Sequence, residues 1–354
     1  MILGIDAITL QGGGIIHLKN VIENSKFSKF KKIIIWGNKQ VLKNIPNNKK
    51  IIKKNYIIFE KNFIFVLIWK FFNFNRLIKN ENCKCVLYLS GYYFNNFKPS
   101  VVFMQNILPF DNKALNYYNF FYRIKFKILK YLSIYSLKKA SHIIFPSKYF
   151  QNLLKKNNIS FSSSFVYHGG TKRFKISRKI KKIKLVYVSS FEPFKNHLNL
   201  LIAISNINKF KEIYLDLYGP KNFFFFNKVL PLIKKINQNK KIIFYRGFKG
   251  PNFIYKNYNL SIYPSLSESF GLPIIESLAS GVPVACSNIP VFKEIYKKKV
   301  FYFNPKDIRS IQNSILKAIK IGLYKKIKKN KNINSWKSSC KKIFYILETQ
   351  ARNR

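Results

Sequence analysis

Short apolar runs alternate with longer amphipathic stretches along the whole chain. In the first half, the apolar runs predict strands at residues 2–5, 32–36, 57–59, 85–89, 101–104, 142–145 and 162–167. In the second half, they predict strands at residues 185–189, 213–217, 242–245, 260–262 and 284–286. Strands that alternate with helices favour an α/β protein with parallel sheets. A Lys- and Arg-rich stretch with few large apolar side chains, residues 171–182, predicts a linker between the two halves.

The stretch of residues 259–284 has the most distinctive pattern. A short apolar run ends at Pro264, and a turn around Gly271 leads into a helix that should end near Gly281. Glycine permits a tight turn, and Pro273 suits the first turn of a helix. Two of the 13 acidic residues in the chain, Glu268 and Glu276, flank this turn.

These residue types fit a binding site for a phosphorylated or hydroxylated ligand. The backbone amides of Phe270, Gly271 and Leu272 can hold a phosphate or a sugar hydroxyl at the start of the helix. Glu276 can accept hydrogen bonds from a diol such as a ribose, and Glu268 can reach a hydroxyl on the other side of the phosphate. In the alternative interpretation, Glu276 only complements the helix dipole and Glu268 is a solvated loop acid.

The string Pro264-Ser-x-x-Glu-Ser-Phe-Gly-Leu-Pro-x-x-Glu resembles the signature of the group 1 (family 4) retaining glycosyltransferases. The resemblance implies a nucleotide-sugar donor and the GT-B fold, in which two Rossmann-like α/β/α domains with parallel sheets face each other across a cleft. It predicts an acceptor-binding domain at 1–170, a linker at 171–183, a donor-binding domain at 184–334, and a helix at 335–354 that crosses back to the first domain.

Residues 188–197 resemble the family segment in which a lysine neutralises the donor diphosphate. Lys195 matches that lysine. The family usually has an arginine a few residues earlier, and here Ser190 occupies that position. Lys172, Arg173 and Arg246 are candidates to replace the missing charge, and the sequence does not choose between them.

Two further loops match the resemblance in the first half. Gly13 and Gly14, in a glycine triplet after the first strand, correspond to a loop that approaches the donor phosphate and the acceptor; the alternative is an ordinary turn. Gln105 stands near the position where many relatives place a histidine facing the reacting sugar, with Asn106 as the second candidate on that loop. A glutamine can donate a hydrogen bond but cannot act as an acid or a base.

No histidine is a convincing catalytic base, so His17, His142, His168 and His197 are interpreted as structural. The resemblance implies that the departing diphosphate helps to deprotonate the acceptor, with Lys195 and Glu268 in catalytic positions beside Gln105 and Asn106. No metal-binding Asp-x-Asp pattern stands out, so metal-independent transfer without a cofactor is expected. The expected acceptor is a glycan or a lipid-linked glycan of cell-surface polysaccharide or lipopolysaccharide.

The composition is strongly basic, with 65 Lys and Arg residues and a formal net charge of +52. Lys, Asn, Ile, Phe and Tyr are all frequent together, which indicates coding bias, so specific nucleic-acid binding is not inferred from the charge. The charge still attracts anionic membranes. Residues 63–79 and 117–139 mix aromatic and basic residues, which fits helices on a bilayer surface or, alternatively, core helices with solvated faces.

The four cysteines give neither a disulfide framework nor a zinc spacing, which favours a reducing cytoplasm. The first residues lack the pattern of a signal peptide, and the longest apolar run, residues 63–69, is too short to span a bilayer. The expected location is the cytoplasm, free or at the inner face of the membrane. Two alternatives remain open: a nucleotide-sugar-binding relative without transfer activity, and a basic nucleic-acid-binding α/β protein.

Overall fold

The computed structural model describes residues 1–25, 29–93, 95–156, 160–170, 182–247, 255–324 and 334–353. The chain forms two compact units. Unit 1 comprises Met1–Phe110, Phe120–Gly169 and Asn334–Arg354, and unit 2 comprises Asp111–Asn119 and Gly170–Ile333. Most of the predicted linker, residues 171–181, lies outside the described residues.

Unit 1 is built on a parallel sheet. Its described strands are β1 (Ile2–Asp6), β2 (Lys32–Trp36), β3 (Ile51–Lys54), β4 (Cys85–Tyr88), β5 (Ser100–Phe103), β6 (His142–Phe145) and β7 (Ser163–Phe165). Their order is β3-β2-β1-β4-β5-β6-β7, and every pair is parallel. The central strands are buried almost throughout, as expected for a parallel sheet with helices on both faces.

The described helices of unit 1 are α1 (Gly13–Glu23), α2 (Lys39–Lys43), α3 (Phe63–Asn80), α5 (Phe120–Lys139), α6 (Lys148–Lys155) and α12 (Trp336–Arg352). Several begin at a side-chain cap: Asn62 accepts from the backbone N–H of Phe65, and Ser335 accepts from that of Ser338. Helix α12 packs against α1 and lies near β4 and β5. The last described helix therefore belongs to the same unit as the first strand.

Unit 2 repeats the architecture with β8 (Lys184–Val188), β9 (Tyr214–Tyr218), β10 (Ile243–Tyr245), β11 (Leu260–Tyr263), β12 (Val284–Ser287) and β13 (Phe301–Phe303). The order is β10-β9-β8-β11-β12-β13, again parallel. Its described helices are α4 (Asn112–Leu115), α7 (His197–Ile207), α8 (Leu230–Ile236), α9 (Leu272–Ala279), α10 (Pro290–Tyr296) and α11 (Ile308–Tyr324).

The direction of the strand order reverses at β8, whose neighbours are β9 and β11. In open α/β sheets, ligands bind beyond the carboxyl ends of the strands at such a switch point. The loops that follow β8 and β11 therefore frame the natural ligand position of unit 2. These are the loops that contain Lys195 and Glu268.

The predicted fold class, two Rossmann-like α/β units with parallel sheets, is confirmed. The predicted strand at residues 57–59 is wrong. Residues Ile57–Glu60 form a 3-10 helix, Ile57 is 82% exposed, and the strand lies earlier, at Ile51–Lys54. The sequence also gave no indication of β13. Among the described helices, none combines the length and apolar character that a membrane crossing demands.

Candidate functional site

The loop after β11 turns sharply into helix α9 at Gly271. This residue is the helix N-cap, with φ 87° and ψ 59° in the left-handed region. A Cβ at this position would lie 2.7 Å from Cε1 of Phe292. Both the conformation and the close packing therefore require glycine. The first N–H groups of a helix have no intrahelical acceptor, so those at the start of α9 can bind an anion.

Lys195 and Glu268 form an ion pair beside this turn. Lys195 Nζ lies 2.5 Å from Glu268 Oε1, and the two side chains are only 17% and 15% exposed. Ser265 Oγ donates a second hydrogen bond to the same carboxylate oxygen at 3.0 Å. The structure thus brings together two residues that the sequence predicted separately, and it adds Ser265, which sequence reasoning missed.

The backbone around Lys195 is fixed by four hydrogen bonds. Tyr187 Oη donates to the Lys195 carbonyl at 2.7 Å. Asn196 adopts a left-handed conformation, and its amide donates to the carbonyls of Pro264 (3.1 Å) and Pro305 (2.7 Å). The N–H of Leu266 donates to the Phe194 carbonyl at 2.8 Å and joins the two loops directly. The lysine is therefore held in place before any ligand arrives.

Glu276 lies in the second turn of α9 and is half-buried. Burial raises the pKa of its carboxyl from the ordinary 4.5 to about 8. Within the described residues, the carboxyl has no hydrogen-bond partner that would hold it ionised. A hydroxylated ligand that donates to this carboxylate would supply the missing partner.

Three buried tyrosines, which sequence reasoning missed, support the turn from below. Tyr296 Oη donates to the carbonyls of Phe270 at 3.2 Å and Gly271 at 2.9 Å. Tyr263 and Tyr255 donate to the carbonyl of Pro273 at 3.0 and 3.1 Å. Buried carbonyls are costly when they lack donors, so these hydroxyls stabilise the start of α9. In the sequence, the tyrosines looked like ordinary core residues.

Ser190 lies at the carboxyl end of β8, and its carbonyl accepts from the Ser189 hydroxyl at 3.0 Å. Of the candidate replacement cations, Arg246 is already engaged: its Nε lies 3.1 Å from Asp216 Oδ1. Tyr258 donates to the other oxygen of that carboxylate. Lys172 and Arg173 lie outside the described residues. Lys195 is therefore the cation that the described structure places at this turn.

The remaining predicted residues lie in unit 1. Helix α1 begins at Gly13, after Gly12 with a φ of 48°, and a Cβ at Gly14 would lie 2.6 Å from Leu10 Cδ1 and 3.6 Å from Gln105 Oε1. The glycine loop and Gln105 are thus neighbours. Gln105 Nε2 donates a long hydrogen bond, 3.4 Å, to the Leu89 carbonyl. Asn106 accepts from the N–H of Leu108 at 3.1 Å and stabilises its own loop.

The four histidines occupy structural positions. His17 and His168 lie with their Nδ1 atoms 3.0 Å apart, and each packs against Trp336. Burial lowers the pKa of His17 to about 3 and that of His168 well below its ordinary value. Burial also lowers the pKa of His197 to about 3. His142 bonds to Ser162 and Ser164. These environments support the structural interpretation made from the sequence.

Comparisons with known proteins show which family and which folds the chain resembles. Residues 170–334 match the model of the family described as glycosyl transferases group 1. The chain is 27% identical over 207 residues to the O-antigen chain mannosyltransferase RfbU of Salmonella typhimurium, covering 56% of this chain and 55% of the relative. The chain thus spans at most about half the length of the first curated relatives it matches.

Solved structures show the same fold. A sucrose-phosphate synthase of Thermosynechococcus elongatus superposes with a TM-score of 0.76 at 15% identity, with both chains fully covered. Anabaena HepE, solved in complex with UDP and glucose, superposes with a TM-score of 0.69 at 13% identity, covering 99% of this chain and 100% of that structure. Residues 170–334 thus match the group 1 glycosyl transferases, and the chain as a whole shares its fold with these solved structures.

Proposed function

We propose that this chain moves a sugar from a UDP- or GDP-linked donor to a hydroxyl of a glycan or lipid-linked acceptor, with retention of configuration and without a metal ion or cofactor. The observation that carries the proposal is the Lys195–Glu268 pair at the turn into α9, with Glu276 one turn further on and without a hydrogen-bond partner among the described residues. Relatives named as O-antigen chain mannosyltransferases support cell-surface polysaccharide or lipopolysaccharide synthesis as the process.

In this proposal, unit 2 binds the donor. The backbone N–H groups around Phe270, Gly271 and Leu272 and the positive end of the α9 dipole hold the diphosphate. The Lys195 ammonium neutralises the charge that grows on the leaving diphosphate as the glycosidic bond breaks. Glu276 accepts from the ribose diol. Glu268 keeps Lys195 in place and accepts from a hydroxyl of the donor sugar.

The protein supplies no titrating base to the acceptor in this mechanism. The departing phosphate oxygen takes the proton of the attacking hydroxyl, and the enzyme contributes orientation and charge stabilisation. In unit 1, Gly13 and Gly14 are the proposed phosphate contacts, and Gln105 and Asn106 are proposed to hydrogen-bond to sugar hydroxyls. We propose that the reaction takes place in the cytoplasm, at the inner face of a membrane.

A second candidate function, donor binding without transfer, is favoured by one observation. Ser190 stands where an arginine is usual, and Arg246 is engaged by Asp216 rather than free to replace it. With Lys195 as the cation that the described part of the chain places at the turn, the diphosphate receives less charge compensation as it leaves. Such a protein would bind the nucleotide-sugar and release no nucleotide.

Calorimetry against a panel of UDP- and GDP-sugars, paired with an assay for nucleoside diphosphate release, tests the proposal. We expect one nucleotide-sugar to bind. Either Glu276→Ala or Lys195→Ala should raise its dissociation constant by about tenfold or more, because each removes a charged or charge-assisted contact. Glu212→Ala, at an exposed acid of the same unit that pairs with Lys240, is the matched control.

The outcomes separate the candidates. If no nucleotide-sugar binds, or if Glu276→Ala binds as tightly as the wild type, the donor site is assigned wrongly. Binding with acceptor-dependent diphosphate release supports the transferase. Binding without release under any acceptor condition supports the second candidate.

A further inference from the structure

Helix α3 of unit 1 turns an apolar stripe away from the core. Its buried residues are spaced four apart: Val66, Lys70, Phe74 and Ile78. The opposite face exposes large apolar side chains at Ile64, Phe65, Ile68, Phe71 and Phe72, and Phe72 is 72% exposed. An ordinary surface helix shows polar residues there. Contiguous exposed apolar patches usually mark an interaction site.

Helix α5 repeats the pattern. It buries Phe126, Ser133 and Leu137. On the opposite face, with helical spacing, it exposes Ile124, Ile128, Tyr131 and Tyr135, of which Tyr131 is 74% exposed. Two helices of one unit thus present apolar stripes to the outside, so this is a surface rather than a scatter of single residues.

The two stripes meet in an open groove of about 820 Å³. Phe71 and Phe72 line it from α3, and Tyr131 and Tyr135 line it from α5. Lys138 also lines it and brings a positive charge to an otherwise apolar wall. A groove of this size is comparable with pockets that accept small apolar molecules, about 300–1,000 Å³.

The charged side chains of the two helices have a single sign. Neither α3 nor α5 contains an Asp or a Glu. Helix α5 contains six cations, at Arg123, Lys125, Lys127, Lys130, Lys138 and Lys139. The Lys139 ammonium lies 4.5 Å from the centre of the Tyr135 ring, and that of Lys125 lies 5.9 Å from the Phe63 ring. Apolar rings flanked by cations suit the boundary between acyl chains and anionic headgroups.

We propose that α3 and α5 form a docking surface for an anionic phospholipid bilayer, with the exposed rings among the headgroups and a lipid acyl chain in the groove. The surface lies in unit 1, and its lipid binding is independent of the donor chemistry in unit 2. It assigns the proposed membrane association to specific residues. It also accounts for aromatic residues that the folded core does not use.

Co-sedimentation with vesicles of phosphatidylglycerol and phosphatidylcholine, or of phosphatidylcholine alone, tests the apolar part. We expect the combined change Phe71→Gln, Phe72→Gln and Tyr131→Gln to lower partitioning onto the anionic vesicles by about tenfold or more. It removes three exposed rings that insertion into the bilayer would bury. The control changes three equally exposed rings elsewhere, in the substitutions Phe210→Gln, Phe223→Gln and Tyr345→Gln, and should partition as the wild type does.

A second variant tests the charge. Lys125→Gln, Lys127→Gln and Lys138→Gln together should lower binding at low salt and reduce its salt dependence. The control removes three exposed lysines of the same unit, in the substitutions Lys31→Gln, Lys49→Gln and Lys50→Gln. All variants should keep the circular dichroism spectrum and the donor affinity of the wild type. A failure of membrane docking is therefore distinguishable from a failure of the donor site.

Three results would overturn the proposal. The first is a wild type that does not sediment with anionic vesicles. The second is an aromatic variant that sediments as the wild type does. The third is a wild type that light scattering shows to be a dimer, together with an aromatic variant that is a monomer and binds vesicles as the wild type does. That last result would make the face a contact between two copies of the chain.

Discussion

At the scale of single residues, the motif identified the charged groups of the site but not their partners. Lys195 and Glu268 could be selected from local sequence, since each stands in a recognisable segment. Their direct contact joins positions 73 residues apart and depends on which strands are neighbours. Ser265 and Tyr296 could not be selected, because a serine or a buried tyrosine has no local pattern that reveals its hydrogen-bond partner.

Glu276 should make stability depend on pH. Its pKa is about 8 in the folded chain, against an ordinary 4.5. Between these values the folded protein binds a proton that the unfolded chain has lost, so this residue lowers stability as pH rises from 5 to 8. We expect the free energy of unfolding of Glu276→Gln, relative to that of the wild type, to increase by about 1–3 kcal/mol over that range, with allowance for partial exposure.

Urea unfolding at several pH values between 5 and 8 measures this difference. Glu212→Gln is the control, because Glu212 lies at the surface. Its pKa is lowered by Tyr214 and Lys240, so it contributes no loss of stability in that range. A Glu276→Gln advantage that stays constant with pH would show that the carboxyl is ionised throughout.

At the scale of elements, most apolar runs were predictable, but a short run did not always identify its element. Strands such as Lys32–Trp36 and His142–Phe145 match their predicted bounds. Residues 57–59 are apolar, but a run of three does not distinguish a strand from a helical turn. There, the capped start of α3 at Asn62 favours the 3-10 turn, while Ile51 and Ile52 pair with β2. The strand Phe301–Phe303 was not predicted, because it is short and lies close after three consecutive lysines, which are typical of a loop.

The turn into α9 should be sensitive to a single methyl group. Gly271→Ala must keep a positive φ and place its Cβ against Phe292. We expect a loss of about 1–3 kcal/mol in the free energy of unfolding, together with weaker donor binding as the turn shifts. Chemical unfolding and donor calorimetry on the same sample measure the two effects.

Gly247→Ala is the matched control for that turn. Gly247 also has a positive φ, 76°, but a Cβ there meets no atom of the described residues within 4 Å. Gly247→Ala should lower the free energy of unfolding by only about 1–2 kcal/mol, the cost of a left-handed backbone for a residue with a Cβ, and leave donor affinity unchanged. Equal losses of donor affinity in both variants would contradict a specific role for the turn at Gly271.

At the scale of the whole molecule, unit 1 is assembled from distant parts of the chain. Trp336, in α12, is 3% exposed and packs against His17 and His168. Asn334 donates to the Tyr167 carbonyl at 2.8 Å, which fastens the start of this last segment to the end of the first half. The two-unit architecture could be predicted from the restart of the strand pattern, but these contacts could not.

Trp336→Ala should therefore weaken unit 1 selectively. Loss of a buried tryptophan costs about 3–5 kcal/mol. We expect faster hydrogen exchange in α1 and β5, and unchanged exchange in β8 and β11. Tyr345→Ala changes an aromatic residue of the same helix that is 71% exposed, and should leave both patterns as they are. Equal acceleration in the two units would show that they unfold together.

The membership of α12 in unit 1 also sets an order for biosynthesis. A ribosome delivers residues 170–333 before it delivers Trp336, so unit 2 has its whole sequence available while unit 1 still lacks a helix. Domains usually fold in the order in which they emerge, but here the unit that begins the chain is the last to have its whole sequence available. Until translation reaches α12, the nascent chain exposes the surface around His17 and His168, and this interval is when a chaperone has something to bind.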